Sequence, residues 1–424
     1  ASAGTGKTFA LAGLVTRYLA EGVATLDEML LITFSKAASQ ELRERVRGQI
    51  VAAVTAFGDP TTVGDNQLIT HLLNGTPEEL HEREQRLRDA LAGFDAATIA
   101  TTHQFCHLVL KSLGVAGDTD SGVTLAESLD DLVTEIVDDV YLAHFSQQRD
   151  EPQLTRTAAL GLARAVVANP SAERRPIDPP EGTEAAVRVG FATAVCSELE
   201  RRKRTRGILG YDDLLTRLAD ALEPEDSPAR QRMAGRWPIV MVDEFQDTDP
   251  VQWQVISRAF VGHSAVVLIG DPKQAIYAFR GGDIATYLHA AATAGERQTL
   301  GMNWRSDAVL VESLQAVLRD AELGNSDIVV RPVEAHHQGH RLAGAPHNEP
   351  FRLRVVSRDT MGTRQDKTIS IDQLRKHIPK DLAADVAALL ASGATYDGKP
   401  IPAGALAVVG EKHNVACPSA LIGA

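Results

Sequence analysis

The sequence predicts an α/β protein whose parallel sheet is interrupted by a helical insertion. Short apolar runs at 29–34, 239–242 and 265–269 have the length of buried strands. Segments with helical spacing lie between these runs, and residues 128–204 are helical in pattern over most of their length. Strands that alternate with helices are typical of crossover connections, in which neighbouring strands run parallel. The long helical stretch therefore predicts an insertion within the sheet domain.

The first part of the chain contributes one further strand and three helices to this prediction. Helical spacing is clear over 9–19, and a second helix over 37–54 carries charge on one face. Residues 97–102 have the pattern of a strand and lead into a helix over 103–113. Strand and helix thus alternate from the start of the chain.

The last part of the chain has its own pattern. It predicts a helix over 379–391 and a strand over 405–409. Pro379 is tolerated in the first turn of such a helix, because the N–H that proline lacks would have no partner there. These elements indicate a separate unit after about residue 301.

Length and composition exclude several classes of protein. A chain of 424 residues, 44% hydrophobic and 23% charged, predicts two or three globular units rather than a disordered protein. No apolar run is long enough to predict a membrane span, and no charged-then-apolar pattern suggests secretion. The cysteines, Cys106, Cys196 and Cys417, have no close pairing. This spacing excludes a disulfide framework and a zinc ribbon, and it favours the reducing cytoplasm.

The net charge of −13 argues against a broad nucleic-acid-binding surface. It does not exclude a protein that grips one strand, because a narrow basic or aromatic track is enough for that. The basic run at 201–206 is a candidate for such a track. Blocks of like charge are more often a solvated helix face, and we prefer that interpretation.

The opening residues, Ala1–Thr8, read ASAGTGKT and have the pattern of a phosphate-binding loop. Gly4 and Gly6 allow the backbone to curl so that its N–H groups face a phosphate, and a helix would follow. Lys7 would reach the β- and γ-phosphates, and the Thr8 hydroxyl would ligate Mg²⁺. Such a loop normally follows a buried strand, so we expect further residues upstream.

Two downstream motifs complete a nucleotide site. Asp243 and Glu244 follow the apolar run PIVMV, where a carboxylate commonly holds Mg²⁺ and its neighbour polarises the attacking water. Gln274 follows the next apolar run in IGDPKQ, and its amide could bond the γ-phosphate. The segment 275–283, AIYAFRGGD, comes next. Its aromatic residues are either core residues or stacking platforms for bases.

Two other clusters favour simpler interpretations. The histidines between Val333 and Asn348 could suggest a metal site, but without cysteines or helical pairing they indicate a loop with scattered histidines. Cys106 lies about one helical turn from His103, which would suit a cysteine nucleophile. We prefer to interpret this segment as part of the motif TTHQFC rather than as a nucleophile.

The phrases ASAGTGKT, LITFSKAASQELRERV, TTHQFC, YDDLL, VDEFQDTDPVQW, IGDPKQAIYAFRGGD and LGMNWRS occur in this order. They resemble the successive motifs of UvrD/Rep-type superfamily 1 helicases, and three of them are most similar to the RecB and AddA branch. The resemblance covers residues 1–310 strongly and the rest weakly. It implies a first RecA-like P-loop domain at 1–105 and 206–300. A helical insertion at 106–205 would interrupt that domain, with 50–92 as a candidate second part, and 301–424 would be part of a second RecA-like domain.

The resemblance also implies roles for individual residues. The nucleotide would contact Ala1, Ser2, Ala3, Gly4, Thr5, Gly6, Lys7, Thr8 and Trp304, the last through adenine stacking. The catalytic residues would be the general base Glu244, the γ-phosphate sensor Gln274 and the arginine finger Arg305, and Thr8 and Asp243 would hold Mg²⁺. Single-stranded DNA would contact Thr33, Phe34, Thr102, His103, Tyr277, Phe279 and Arg280.

The function that the resemblance implies is an ATP- and Mg²⁺-dependent helicase that moves 3′ to 5′ on single-stranded DNA during double-strand-break repair. Its partners would be single-stranded and duplex DNA and the other subunits of a RecBCD- or AddAB-like complex, without a membrane. The family's adenine-reading glutamine, its second arginine finger and any nuclease domain would lie outside these residues. Two alternatives remain: a nucleotide- and DNA-binding module with little turnover, and a P-loop signalling switch.

Overall fold

A four-stranded parallel sheet organises the larger of two units in the structure, a computed structural model. It describes residues 4–64, 66–113, 124–126, 128–146, 151–169, 173–276, 282–362 and 367–409. The larger unit is Lys7–Gln298, and the described parts of 1–6 and 299–424 form the smaller one. The strands of the sheet are β1 (Met29–Thr33), β2 (Thr98–Thr101), β5 (Ile239–Val242) and β6 (Ala265–Leu268), in the order β2-β1-β5-β6. The predicted α/β fold with a parallel sheet is confirmed.

Helices cover both faces of this sheet. They are α1 (Lys7–Ala20), α2 (Lys36–Gly58), α3 (Gln67–Leu72), α4 (Pro77–Ala92), α5 (Thr102–Leu113), α9 (Tyr211–Ala221), α10 (Pro228–Arg236), α11 (Pro250–Phe260) and α12 (Ile284–Thr293). Successive side chains of a strand point to opposite faces, so each strand contributes to two hydrophobic clusters. Leu30 and Ile32 pack in the cluster of α5, α9 and α11, whereas Met29 and Leu31 pack in that of α1, α2 and α4. Burial on both faces explains why β1 and β5 are continuous apolar runs.

A second group of helices forms a cluster of its own between β2 and β5 in the chain. These helices are α6 (Asp130–Phe145), α7 (Arg156–Ala168) and α8 (Glu184–Arg206), and the short parallel pair β3 (Thr124–Leu125) and β4 (Ile208–Leu209) lies at their ends. Their core includes Ile136, Ala159 and Phe191 and shares no buried residue with the two sheet clusters. Helices α2–α4, over 36–92, pack on the sheet instead.

The basic run at 201–206 forms the last turns of α8. Arg202 bonds Glu135, Glu198 and Asp139, so ion pairs across α6 and α8 hold much of the run. The preferred interpretation as a solvated face is wrong for Lys203, which is only 7% exposed. Its ammonium is paired with Glu200 and Asp213, which makes its burial tolerable.

The smaller unit contains short strands and two helices in its described residues. They are β7 (Met302–Asp307), α13 (Ala308–Val317), β8 (Glu334–His337), β9 (Leu342–Ala343), α14 (Ile371–Ala391), β10 (Thr395–Tyr396) and β11 (Lys399–Pro400). Strands β7 and β8 pair in parallel, and β9, β10 and β11 form an antiparallel sheet. No residue of α14 is buried.

Two sequence predictions in this unit are wrong. The helix predicted from Pro379 begins at Ile371, with Pro379 inside it. A capping box between Ser370 and Gln373 starts this helix, more than two turns before the proline. Residues 405–409 are not a strand: 403–405 form a 3₁₀ turn and Val409 is 95% exposed. Apolar character alone does not make a strand without a neighbour to pair with.

None of the helices in the described residues has the length and hydrophobicity of a membrane-spanning segment.

Candidate functional site

The carboxyl ends of β1, β5 and β6 meet at one edge of the sheet and bring the sequence motifs together there. The Asp243 N–H donates to the Ile32 carbonyl over 2.8 Å, and the Phe245 N–H donates to the Ile269 carbonyl over 2.9 Å. These bonds connect the backbone beyond the end of β5, at Asp243 and Phe245, to the neighbouring strand ends. Ligand sites of open parallel sheets commonly lie at this edge.

Lys7, at the first position of α1, is the centre of a polar group in the larger unit. Its Nζ donates to Glu244 Oε2 over 2.9 Å and to Gln274 Oε1 over 3.3 Å. The lysine side chain is only 8% exposed. Two residues from a distant part of the chain, Glu244 and Gln274, thus converge on one ammonium.

The predicted metal ligands also lie together. Thr8 Oγ1 donates to Asp243 Oδ2 over 3.5 Å. Hydroxyl and carboxylate oxygens are the ligands that Mg²⁺ prefers, and at this distance both can reach one ion. Burial, and then repulsion by Glu244, raise the pKa of Asp243 to about 6. A buried carboxylate whose ionisation is disfavoured in this way would be stabilised by a bound cation.

Glu244 has an unusual backbone conformation. Its φ of +50° and ψ of +42° lie in the left-handed region, which residues other than glycine rarely adopt. Such strain persists only where the surrounding contacts enforce it, and it is concentrated at functional sites. Glu244 lies between the end of β5 and a 3₁₀ turn at 245–247, so the backbone leaves the strand direction at this residue.

Two buried polar residues that the sequence did not single out connect this group. The side chain of Gln246 contacts Glu244 and the Asp271 backbone, and the side chain of Asp271 contacts Gln274 and Lys273. Asp271 is 1% and Gln246 2% exposed. Their place within the motifs DEFQD and GDPKQ was the signal available, but a role for them follows only from the tertiary contacts.

The phosphate-loop glycines have the conformation that such a loop requires. Gly4 and Gly6 both have φ of +79°, which costs a glycine little and other residues considerably more. In the smaller unit, the Trp304 N–H donates to the Gly4 carbonyl over 2.9 Å. A Cβ at Gly4 would lie 2.8 Å from Arg305 Cβ. Ala1, Ser2 and Ala3 lie outside the described residues, and Thr5 is buried.

Trp304 and Arg305 lie on β7 in the smaller unit. The Trp304 ring is 52% exposed and packs at 4.3 Å between centroids against His336. An exposed ring with one face supported is suited to stacking. The side chain of Asn303, which the sequence prediction missed, accepts the N–H groups of Arg305 and Ser306 and is 7% exposed.

Four of the residues predicted to contact DNA lie within the described structure, and three lie outside it. Thr33 ends β1, paired with Thr101, and Thr102 begins α5, so both lie at the sheet edge described above. Their side chains are 1% and 6% exposed, which leaves the backbone as the surface available for contact. Phe34 is partly buried, and His103 Nε2 lies 4.0 Å from Asp212 Oδ1. Tyr277, Phe279 and Arg280 lie outside the described residues.

The two alternative sites gain no support. Cys106 is completely buried, and burial raises the pKa of its thiol well above the ordinary value, so it is not a nucleophile. In the part of the chain that the structure describes, no group of three histidine, cysteine or acidic residues could hold a metal. His336 instead packs on Trp304, and His337 Nε2 lies 3.1 Å from the Trp304 carbonyl.

Comparison with known proteins agrees with this geometry. Residues 1–294 match the UvrD/REP helicase N-terminal domain. RecBCD enzyme subunit RecB of Mycolicibacterium smegmatis is 69% identical over 426 aligned residues, which cover 100% of this chain and 39% of that protein. The RecB subunit of Mycobacterium tuberculosis is 65% identical, with 99% and 39% covered. The Escherichia coli subunit is 28% identical, with 76% and 38% covered. The chain therefore spans about two fifths of the length of these relatives.

Proposed function

Because the chain belongs to the family of the UvrD/REP helicase N-terminal domain, we propose that it is the ATP-hydrolysing motor region of a RecB-like DNA helicase. The observation that carries this proposal is the convergence of Lys7, Glu244 and Gln274, with Thr8 and Asp243 beside one another. These are the groups needed to bind a nucleoside triphosphate, hold its metal ion and orient water.

Each residue has a distinct role in this proposal. The Lys7 ammonium exchanges Glu244 for phosphate oxygens, which frees the Glu244 carboxylate to orient the attacking water. Thr8 and Asp243 hold Mg²⁺, which neutralises charge on the phosphates. The Gln274 amide senses the γ-phosphate. Arg305 stabilises the charge of the transition state, and Trp304 stacks on the adenine.

The proposed track for single-stranded DNA follows the resemblance. Phe34, His103, Tyr277 and Phe279 would stack on or contact bases, and the backbone at Thr33 and Thr102 would contact the strand. Arg280 would link this track to the ATP site. The direction of movement is proposed to be 3′ to 5′. Because the relatives are named as subunits of RecBCD enzymes, we propose that the full-length protein also works in such a complex.

Substitution of Lys7 tests the phosphate site. In the full-length protein, Lys7→Ala should lower ATP turnover by about 100-fold or more, because a cation that compensates developing charge is lost. Lys399→Ala is a matched control, since Lys399 is an exposed lysine on β11. Turnover that persists in Lys7→Ala would show that the phosphate site has been assigned to the wrong residues.

A further inference from the structure

A closed ring of hydrogen bonds joins the groups assigned to ATP chemistry in the larger unit. Lys7 contacts Glu244 and Gln274, and Gln274 Nε2 donates to Asp271 Oδ2 over 2.8 Å. Gln246 then connects Asp271 back to Glu244. The ring includes residues from separate stretches of the chain, and Gln246 and Asp271 have no role in the proposed chemistry so far.

Gln246 closes the ring through both ends of its amide. Its Nε2 donates to Glu244 Oε2 over 2.7 Å, and its Oε1 accepts the Asp271 N–H over 2.9 Å. The same Nε2 lies 3.5 Å from Asp247 Oδ2. A carboxylate can only accept and a backbone N–H can only donate, so a single orientation of the amide satisfies both partners. Because Gln246 is only 2% exposed, solvent has little access to replace either bond.

Gly270 provides an independent sign that this contact is required. Its φ lies outside the left-handed region, so conformational freedom does not explain the glycine. A Cβ at this position would lie 2.9 Å from Gln246 Oε1, 3.0 Å from Tyr287 Cε2 and 3.2 Å from the Gln246 nitrogen. Any larger residue would displace the amide from the Asp271 N–H. The glycine of IGDPKQ therefore makes room for Gln246.

When a nucleotide binds, the bonds of Gln246 can remain while other bonds of the ring break. Under the proposed function, Lys7 and Gln274 exchange their ring partners for phosphate oxygens. The bonds from Gln246 to Glu244 and to the Asp271 N–H involve no atom that is assigned to phosphate, so they can remain. Gln246 is then the connection that survives between Glu244 and the loop that carries Gln274.

We infer that Gln246 is a positioning residue that ties the general base Glu244 to the γ-phosphate-sensing loop 271–274. It fixes the strained left-handed turn at Glu244 relative to that loop, so that the carboxylate is correctly aimed when Gln274 engages the γ-phosphate. This inference rests on the proposed function, because it assumes that Glu244 and Gln274 act on ATP.

Three substitutions in the full-length protein test the inference. Gln246→Met removes both bonds at similar volume, and Gln246→Glu keeps the acceptor for Asp271 while it replaces the donor to Glu244 with a carboxylate oxygen. Gly270→Ala retains the glutamine at position 246 but pushes its amide away from the Asp271 N–H. Gln49→Met is the matched control: Gln49 is a buried glutamine on α2 whose Nε2 has no hydrogen-bond partner within the described residues.

The measurements are kcat and KM for ATP with saturating single-stranded DNA, together with the melting temperature. We expect each of the three variants to lower kcat by about 10- to 100-fold, the usual effect of misplacing a catalytic group. KM for ATP should stay close to that of the wild type, and the melting temperature should fall by no more than a few degrees, because a buried N–H loses its partner. Gln49→Met should match the wild type in kcat and KM.

Two results would overturn the inference. One is a wild-type kcat in Gln246→Met and Gln246→Glu. The other is a loss of kcat that is accompanied by an equal loss of ATP binding, which would indicate a structural role only. Lys7→Ala, measured alongside, separates the two proposals. If Lys7→Ala is inactive and the Gln246 variants are normal, only this inference fails; if Lys7→Ala retains turnover, the proposed function itself fails.

Discussion

At the scale of single residues, the candidate site holds carboxyl groups whose ionised form is disfavoured in the protein without a bound ligand. Asp243 is 6% exposed and lies next to Glu244, so its ionised form is destabilised. Asp247 is 6% exposed as well, and burial followed by repulsion from Glu244 raises its pKa to about 6. Perturbed carboxyl groups that gather in one place are typical of functional sites. The site thus reduces the stability of the free protein and favours the binding of a metal ion.

This conflict predicts that Asp243→Asn makes the protein more stable while it abolishes ATP turnover. The folded-state pKa of about 6 lies above the ordinary value of 3.8. Above pH 6 the folded protein therefore carries a disfavoured charge, which asparagine lacks. We expect a gain of about 1–3 kcal/mol in the free energy of unfolding at pH 8 without Mg²⁺ or nucleotide. The gain should shrink as the pH falls from 6 to 4, because the folded wild type then takes up the proton first.

Thermal unfolding at pH 8 and pH 5 measures this effect. Asp178→Asn is a suitable control, since Asp178 is exposed. A melting temperature of Asp243→Asn that is lower than that of the wild type at pH 8 would contradict the prediction.

The sequence predicted only part of the site at this scale. Lys7, Asp243 and Gln274 belong to recognisable motifs, so the amino-acid sequence alone was enough to suggest their roles. Gln246 and Asn303 could not be identified, because a buried amide acquires its role from partners elsewhere in the fold. For Gln246 the decisive partner is the Asp271 N–H, 25 positions away.

At the scale of elements, Arg341 organises the strand that carries Arg305. Its Nε donates to Asp307 Oδ1 over 2.5 Å, its backbone N–H donates to Asp307 Oδ2 over 3.0 Å, and its Nη2 donates to the Arg305 carbonyl over 2.5 Å. Burial alone would raise the pKa of Asp307, but the hydrogen bonds from Arg341 hold it below the ordinary value. The guanidinium also lies over the Tyr396 ring. It therefore joins β7 to β10.

We predict that Arg341→Met lowers the kcat of the full-length protein for ATP by about 10-fold, because the backbone that carries Arg305 loses its support. The measurement is steady-state ATP hydrolysis with single-stranded DNA present. Arg319→Met, at an exposed position after α13, serves as the control. An unchanged kcat in Arg341→Met would show that Arg341 does not support the function of Arg305.

Elements differed in how well the sequence predicted them. The strands β1 and β5 were predicted because burial on both faces produces an unbroken apolar run. β6 was predicted from its apolar run as well, although its residues are only partly buried or exposed. The start of α14 was missed because Pro379 was taken as a boundary, although the capping box at Ser370 and Gln373 was present in the sequence. The domain limits proposed from the family remain a prediction. Helix α5 illustrates the difficulty, since it continues past residue 105 and packs on the main sheet.

At the scale of the whole molecule, the net charge of −13 is compatible with a DNA motor. Affinity for a single strand can come from stacking and a local track, without a basic exterior. The acidic residues that pair with Arg202, Lys203 and Arg206 show that many of the cations are engaged within the protein. Contact with DNA is therefore expected to depend on the segments at Phe34, His103 and 277–280 more than on overall charge.

The measurement that tests the central claim most directly is ATP hydrolysis by the full-length protein with and without single-stranded DNA. If the chain is a RecB-like motor, DNA should increase turnover strongly, and Lys7→Ala should remove the activity under both conditions. If the protein binds and hydrolyses ATP at a rate that DNA does not change, the helicase assignment is contradicted and a nucleotide switch takes its place.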